Sequence, residues 1–314
     1  MLNNSLIFII ALFLIVKGAT LATKYATQLA RSFNLPKYTV GFIIVAIVSV
    51  LPETFIVINS AIEGTPSFGL GMLLGSNIAD LTLIFAIIIF FARRNLKIES
   101  KILKNHVIYP LMLLLPLTLG LNGYFSRLEG LILIVAGGIF YYVTLKNKTH
   151  CGILIKNKLD KSKSFLMLLF SMAVLLIGAR FVVTSATALA NSLKISPILI
   201  SMLIVGLGTT VPELLFSLKS VRKKNDSLAI GDILGTVLVD ATIVIGILAL
   251  INPFSFPTKI IYITGMFMVI ASFILFHFMK TGKAITQKEA CLLFIFWLAF
   301  AIAEFVTNIN ISVQ

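Results

Sequence analysis

Apolar residues run along this chain in long blocks separated by short polar joints. An α-helix needs about 20 predominantly apolar residues to cross a bilayer. On that measure the blocks predict ten membrane helices, at about 6–28, 38–61, 68–92, 106–122, 127–145, 165–190, 196–218, 228–251, 259–278 and 287–306. The joints are short, which favours antiparallel neighbours. Of 314 residues, 59% are hydrophobic and 12% charged, which excludes a soluble domain. The first block, from Leu6, has no convincing small-residue cleavage site and matches a segment of the second half. It reads as a retained helix rather than a removed signal peptide.

The net charge of +14 raises the question of nucleic acid, and its placement answers it. Alternate joints carry the basic residues: Lys24, Arg31 and Lys37; Arg93, Arg94, Lys97, Lys101 and Lys104; Lys146, Lys148, Lys156, Lys158, Lys161 and Lys163; Arg222, Lys223 and Lys224; Lys280, Lys283 and Lys288. The opposite joints carry little beyond Arg127, Lys194 and Lys259. By the positive-inside rule the first set is cytoplasmic and both termini face outward. The charge is then a topology signal with some attraction to anionic lipid of the bilayer, and nucleic acid has no remaining support. Residues 146–163 form the longest hydrophilic link, read as a cytoplasmic hinge between a first half, 1–145, and a second, 164–314. Compact loops without a targeting extension point to a prokaryotic plasma membrane.

The two halves repeat each other at an offset of 160 residues without a gap. Gly18 falls on Gly178, Ala26 on Ala186, Pro52 on Pro212, Glu53 on Glu213, Gly71 on Gly231, Gly75 on Gly235, Asp80 on Asp240 and Thr82 on Thr242. Chance apolar similarity rarely yields Pro-Glu and Gly-plus-Asp at one offset. Each half holds five helices, so the second enters the membrane upside down. The predicted fold class is an all-α polytopic membrane protein with ten transmembrane helices in two inverted five-helix repeats. Inverted repeats are a recurrent plan of secondary transporters, with the site near the midplane where the repeats meet.

Four acids therefore sit at repeat-related places inside apolar helices. An ionisable group at that depth costs about 2.5–3.5 kcal/mol on insertion scales, and a shared cation site is the reading that answers the cost. Pro52 and Pro212 lack an N–H and clash with the preceding turn, loosening helices two and seven. Ser49, Thr209 and Thr210 bring hydroxyls one turn before the glutamates. Ser76 and Asp80, like Thr236 and Asp240, stand at i and i+4 on one helix face. Gly75 and Gly235 leave room for close helix approach. Carboxylates, hydroxyls and carbonyls make an all-oxygen site suited to hard cations such as Ca²⁺. The opposing reading, that buried bases neutralise the acids, has only Lys17 and Arg180 to offer, and both can snorkel. Asn77 is either a ligand through its amide oxygen or an interhelical hydrogen bonder. Asp232 is either a helix N-terminal charge or a lining of the ion path. Glu304 has no acidic repeat partner and reads as structural or interfacial. His106, His150 and His277 form no cluster, and Cys151 and Cys291 show neither metal-ligand spacing nor a disulfide framework.

At Gly208-Thr209-Thr210-Val211-Pro212-Glu213 and Gly231-Asp232-Ile233-Leu234-Gly235-Thr236 the chain resembles the calcium:cation antiporter superfamily, nearest in pattern to prokaryotic sodium/calcium exchangers. The resemblance spans essentially the whole chain. It implies that Glu53 and Glu213 bind Ca²⁺, and that nearby hydroxyls, carbonyls and later acid or amide positions bind Na⁺. The implied set is Ser49, Glu53, Ser76, Asp80, Thr209, Thr210, Glu213, Thr236 and Asp240, with Ala46 and Gly206 through their carbonyls. Two departures matter. Val50 stands where a hydroxyl residue is expected, and Asp80 where Asn is often found. Four central carboxylates exceed the charge of one Ca²⁺, so extra Na⁺, K⁺ or protons are the candidates to balance it. The leading expectation is Ca²⁺/Na⁺ antiport by alternating access, with no cofactor and no covalent chemistry. The rivals are the same fold coupled to H⁺ or K⁺, or carrying another divalent ion, then a cation channel, and last a membrane enzyme, for which no nucleophile–base pair is visible.

Overall fold

The computed structural model describes residues 2–32, 46–98, 108–146 and 161–309. The starts of the second and fourth predicted helices lie outside the described residues. So do Lys37, Lys101, Lys104, His106, His150, Cys151 and most of the 146–163 link. The described residues form ten helical columns. They are α1 (Leu2–Ser32); α2 (Ala46–Ser49) with α3 (Leu51–Ile62); α4 (Pro66–Ala79) with α5 (Phe85–Ala92); α6 (Ile108–Leu119); α7 (Arg127–Lys146); α8 (Lys161–Leu193); α9 (Pro197–Ile200), α10 (Gly206–Thr209) and α11 (Val211–Arg222); α12 (Asp226–Val239) with α13 (Ile245–Ile251); α14 (Met266–Lys280); and α15 (Gln287–Ile309). Among the described residues, seven helices are long and apolar enough to cross a membrane. Leu51–Ile62 and Ile108–Asn122 are shorter apolar helices.

The interruptions are where the sequence predicts them. Pro52 and Pro212 sit in the first turn of α3 and α11, and the preceding residues, Val50 and Thr210, have nearly the same backbone (φ −77°, ψ −8° and φ −75°, ψ −9°). A proline is tolerated there because its missing N–H would be unsatisfied in any case. A second irregularity was not anticipated. At Asp80–Ile84 and Asp240–Val244 the helix widens to a π turn, again 160 residues apart. Such single-turn bulges often mark functional sites, and each opens at an acid.

The pseudo-symmetry reaches well beyond the motifs. Gly18 of α1 faces Leu175 of α8, while Gly178 of α8 faces Ile15 of α1, the same contact made twice. A β-carbon on either glycine would come within 3.0 to 3.1 Å of that leucine or isoleucine. Two antiparallel ribbons of two residues per strand tie the halves together, a feature too short for the apolar pattern to signal. Leu96–Lys97 (β1) pairs with Ala284–Ile285 (β4), and Tyr124–Phe125 (β2) with Phe254–Ser255 (β3). Each ribbon takes one strand from each half, and the loops of each lie on the same predicted face. Helices α7 and α15 both start with a capping box: Ser126 with Glu129, and Thr286 with Glu289. These too differ by 160.

At the centre, the columns Pro66–Ala92 and Asp226–Ile251 are enclosed by the others. In their most apolar stretches 83% and 78% of positions are buried, against 33% in α1 and α8. The carbonyl of Met202 lies against Gly75, where a β-carbon would overlap it, and Gly206 lies against the backbone of Met72 and Ser76. Gly75 thus permits the close approach foreseen for it, while the Gly235 carbonyl accepts the Tyr141 hydroxyl at 2.9 Å.

Candidate cation site

The broken helix of each half packs against the acid-bearing helix of the other. α2 meets α12, and α10 meets α4. This crossing gathers Ser49, Glu53, Ser76, Asn77, Asp80, Thr209, Thr210, Glu213, Thr236 and Asp240 into the interior, each no more than 4% exposed. Ala46 opens α2, and Gly206 opens α10 beside α4. Glu53 and Asp80 lie close enough to each other, to Glu213 and to Asp240 to interact electrostatically.

The hydroxyls are oriented. Ser76 Oγ donates to the Leu73 carbonyl at 3.0 Å, Thr209 Oγ1 to that of Gly206 at 3.0 Å and Thr210 Oγ1 to that of Leu207 at 3.0 Å. Each has a carbonyl of its own helix within reach of its proton, which leaves lone pairs for another partner, and Thr209 has the Met72 sulfur at 3.9 Å as a second acceptor. The Gly206 carbonyl also accepts the Thr210 N–H at 3.2 Å. Asn77 donates through Nδ2 to the sulfur of Met268 at 3.8 Å, an interhelical bond that leaves its amide oxygen unpartnered.

Many of the carboxylate oxygens have no donor. Buried oxygens lacking a hydrogen-bond partner include Glu53 Oε2, both carboxylate oxygens of Glu213 and of Asp240, Asp80 Oδ1, Asp232 Oδ2, Asn77 Oδ1 and Ser217 Oγ. Buried polar atoms are normally satisfied. A concentration of acceptors at one crossing is what a protein builds for a cation or for protons. Among the described residues no three His, Cys, Asp or Glu side chains close on each other tightly enough to form a resident metal centre. A cation here would be held by carboxylates mixed with hydroxyl, amide and carbonyl oxygen.

Lys17 and Arg180 do not neutralise this set by the contacts they make. Lys17 lies over the ring of Phe13, and Arg180 faces Glu63 at 3.6 Å from an exposed position. Asp232 is not an N-terminal charge. Asp226 holds the first turn of α12 and pairs with Arg94, whereas Asp232 lies deeper and accepts the Ser49 hydroxyl at 3.4 Å. Glu304 is buried, with the hydroxyl of Thr264 bonded to its carboxylate. Sequence reasoning missed Ser217, which is fully buried one turn after Glu213; the i+4 spacing was the available signal. It also missed Tyr109, whose hydroxyl donates to the Leu234 carbonyl at 2.8 Å and fixes α12 beside the site.

This architecture is that of a membrane cation exchanger, and the chain belongs to the sodium/calcium exchanger protein family, which matches residues 4–146 and again 163–306. It is 28% identical to the inner membrane protein YrbG of Escherichia coli over 81% of each chain. Its fold is similar to that of the sodium-calcium exchanger NCX_Mj, with a TM-score of 0.70, 23% identity and coverage of 96% and 97% of the two chains. It is also similar in fold to the H⁺/Ca²⁺ exchanger CAX, with a TM-score of 0.79, 15% identity and coverage of 99% and 86%. The chain is a transporter-family protein and not an enzyme.

Proposed function

We propose that the chain exchanges Ca²⁺ for Na⁺ across a plasma membrane by alternating access at the midplane site. The observation that carries this is the set of buried, partnerless oxygens where the broken helices cross. Glu53 and Glu213 would bind Ca²⁺ with the carbonyls and hydroxyls of the two breaks. Ser49, Ser76, Thr209, Thr210, Thr236, Asp80, Asp240 and Asn77, with the Ala46 and Gly206 carbonyls, would complete the shells of the alternating ions. In a dry interior a bare carboxylate is costly, so the emptied site resists passage. Bound cations offset the charge of the acids and permit the switch between faces. The basic joints would face the cytoplasm.

A second reading has its own support. Asp80 raises the central acids to four, which one Ca²⁺ does not balance, and Val50 removes a hydroxyl from the first break. Both favour protons as the coupling ion. K⁺ in place of Na⁺ is the remaining form. Radioactive Ca²⁺ uptake into proteoliposomes decides. Uptake that requires internal Na⁺ supports the first reading, and uptake driven by a pH gradient alone replaces it with the second. Flux that ignores every counter-ion would contradict both.

A further inference from the structure

Between α14 and α15 runs an open groove of about 720 Å³. Phe273, Ile274 and Phe278 line it from α14, and Leu292, Ile295 and Phe296 from α15. Phe273, Leu292 and Ile295 are each more than half exposed, so nothing among the described residues covers them.

One end of the groove is basic. His277 lines it in the last turn of α14. Lys280 follows His277 by three residues and Phe273 by seven, while Lys288 precedes Leu292 by four and Ile295 by seven. Helix geometry therefore sets both lysines on the faces that form the groove. Both are exposed, and so is His277. The acids of this end are engaged elsewhere. Glu289 caps α15 by accepting the Thr286 N–H and hydroxyl at 2.7 and 2.8 Å, and Asp226 is held by Arg94. Among the described residues neither Lys280 nor Lys288 pairs with an acid.

The length of the groove fits one leaflet. From Lys288 to Ala299, the last lining residue of α15, is about 16 Å of helix, half of a hydrocarbon core of roughly 30 Å. The other half of the chain serves as a control. The repeat mates of Leu292, Ile295, Phe296 and Ala299 are Ile132, Val135, Ala136 and Ile139, all apolar, but that of Lys288 is Leu128. From Leu117 to Leu128 the sequence has Arg127 as its one base. The apolar wall is duplicated and the basic end is not.

We propose that the groove between α14 and α15 binds an anionic phospholipid, with one acyl chain along the apolar walls and the headgroup phosphate on His277, Lys280 and Lys288. Any lipid can cover the walls. The unpaired bases at headgroup level select for negative charge, and lysines at helix ends reach that level readily. A second copy of the chain, paired about a two-fold axis through the groove, would set these bases against their own mates.

Trp297 is the single tryptophan of the chain and adjoins Phe296 in α15, so its fluorescence reports on this helix. The test reconstitutes the purified full-length protein in phosphatidylcholine vesicles and titrates in brominated phosphatidylglycerol or brominated phosphatidylcholine as quencher. The anionic lipid is expected to reach half-maximal quenching at about one-tenth of the membrane fraction that the zwitterionic lipid needs, a preference of roughly 1.4 kcal/mol. Lys280→Gln combined with Lys288→Gln should bring the two lipids within about twofold of each other. Arg127→Gln, at the matching end of α7, should leave the preference intact. Equal quenching in the wild type, or a preference that survives the double lysine variant, removes the site. A preference lost as fully in Arg127→Gln reports attraction to the whole basic surface and also removes it. Quenching by neither lipid, with a dimer captured by cross-linking, gives the groove to a second copy instead. The measurement involves no transport, so its outcome stands whichever ion is exchanged.

Discussion

The first and second halves share their irregular backbone but diverge at chemically important side chains. Proline breaks, π turns, capping boxes and chain reversals recur at the same offset. Yet Val50 faces Thr210 across the repeat, Met72 faces Asp232, Val57 faces Ser217 and Asn77 faces Val237. The duplicated backbone supplies two equivalent ways of opening helices to an ion. The unmatched side chains make the two ways unequal. Identical halves would give both faces matching sites, and the unmatched side chains allow the faces to differ.

The comparison breaks most completely at the residues the halves do share. Glu53→Gln and Glu213→Gln should each reduce ion exchange by at least about 100-fold, because each removes a charge-assisted ligand from a dry site. Both proteins should fold, since the lost carboxylates have buried oxygens with no hydrogen-bond partner to give up. Counter-ion-driven Ca²⁺ flux beside a melting curve is the measurement. One variant retaining wild-type flux would mean that the halves do not contribute jointly.

Much of this plan could be read from the residues. Pro-Glu repeated at an offset of 160 predicts the broken helices, because proline's missing N–H acts locally, and five apolar blocks per repeat predict the inversion. The acids were visible because charge in an apolar run has few uses. The π turns were not visible, since a one-residue widening changes neither composition nor length. Asp232 stayed ambiguous because spacing along one helix cannot say which residue of another helix it meets, and its partner Ser49 is 183 positions away. Ser217 carries no sequence signal beyond its i+4 spacing from Glu213, and only its burial without a hydrogen-bond partner marks it.

A smaller effect is expected where the ends of the molecule differ. At one end Arg94 grips Asp226 through both oxygens and the Val221 carbonyl at 3.1 Å, and the Lys97 N–H adds a bond of 3.1 Å. At the other, Asn252 donates to the Ala61 carbonyl, the repeat mate of Val221, at 3.0 Å, and the ion pair nearby, Arg180 with Glu63 at 3.6 Å, is exposed and looser. Arg94→Ala leaves a nearly buried carboxylate with little beyond the Lys97 N–H and should destabilise by about 2–3 kcal/mol. Asp226→Asn leaves a guanidinium that is one-third exposed and free to hydrate, so it should cost less. Equal losses in melting temperature for the two would contradict the burial argument.

The smallest effect concerns four chain reversals with φ in the left-handed region. Gly64 (+73°) and Gly123 (+76°) lie on the face with few basic residues, and their repeat mates are Lys224 (+56°) and Lys283 (+51°) on the basic face. A left-handed conformation costs a residue with a β-carbon about 1–2 kcal/mol that glycine does not pay. The lysines therefore sit against local conformational preference, as does Lys194 (+55°) on the opposite face; with the basic face cytoplasmic, as proposed, Lys224 and Lys283 would serve orientation. Lys224→Gly and Lys283→Gly should each raise stability, by up to about 1 kcal/mol once the greater freedom of glycine in the unfolded chain is counted. Each should also weaken the bias that sets orientation, read by protease access to loop tags in cells. Gly64→Lys is the reverse experiment, adding strain and charge on the wrong face, and should lower both stability and the correctly oriented fraction. If the glycine variants gained no stability, the lysines would have to be held by contacts of their own. The duplicated reversals would then be neutral to sequence, and charge placement would cost the fold nothing.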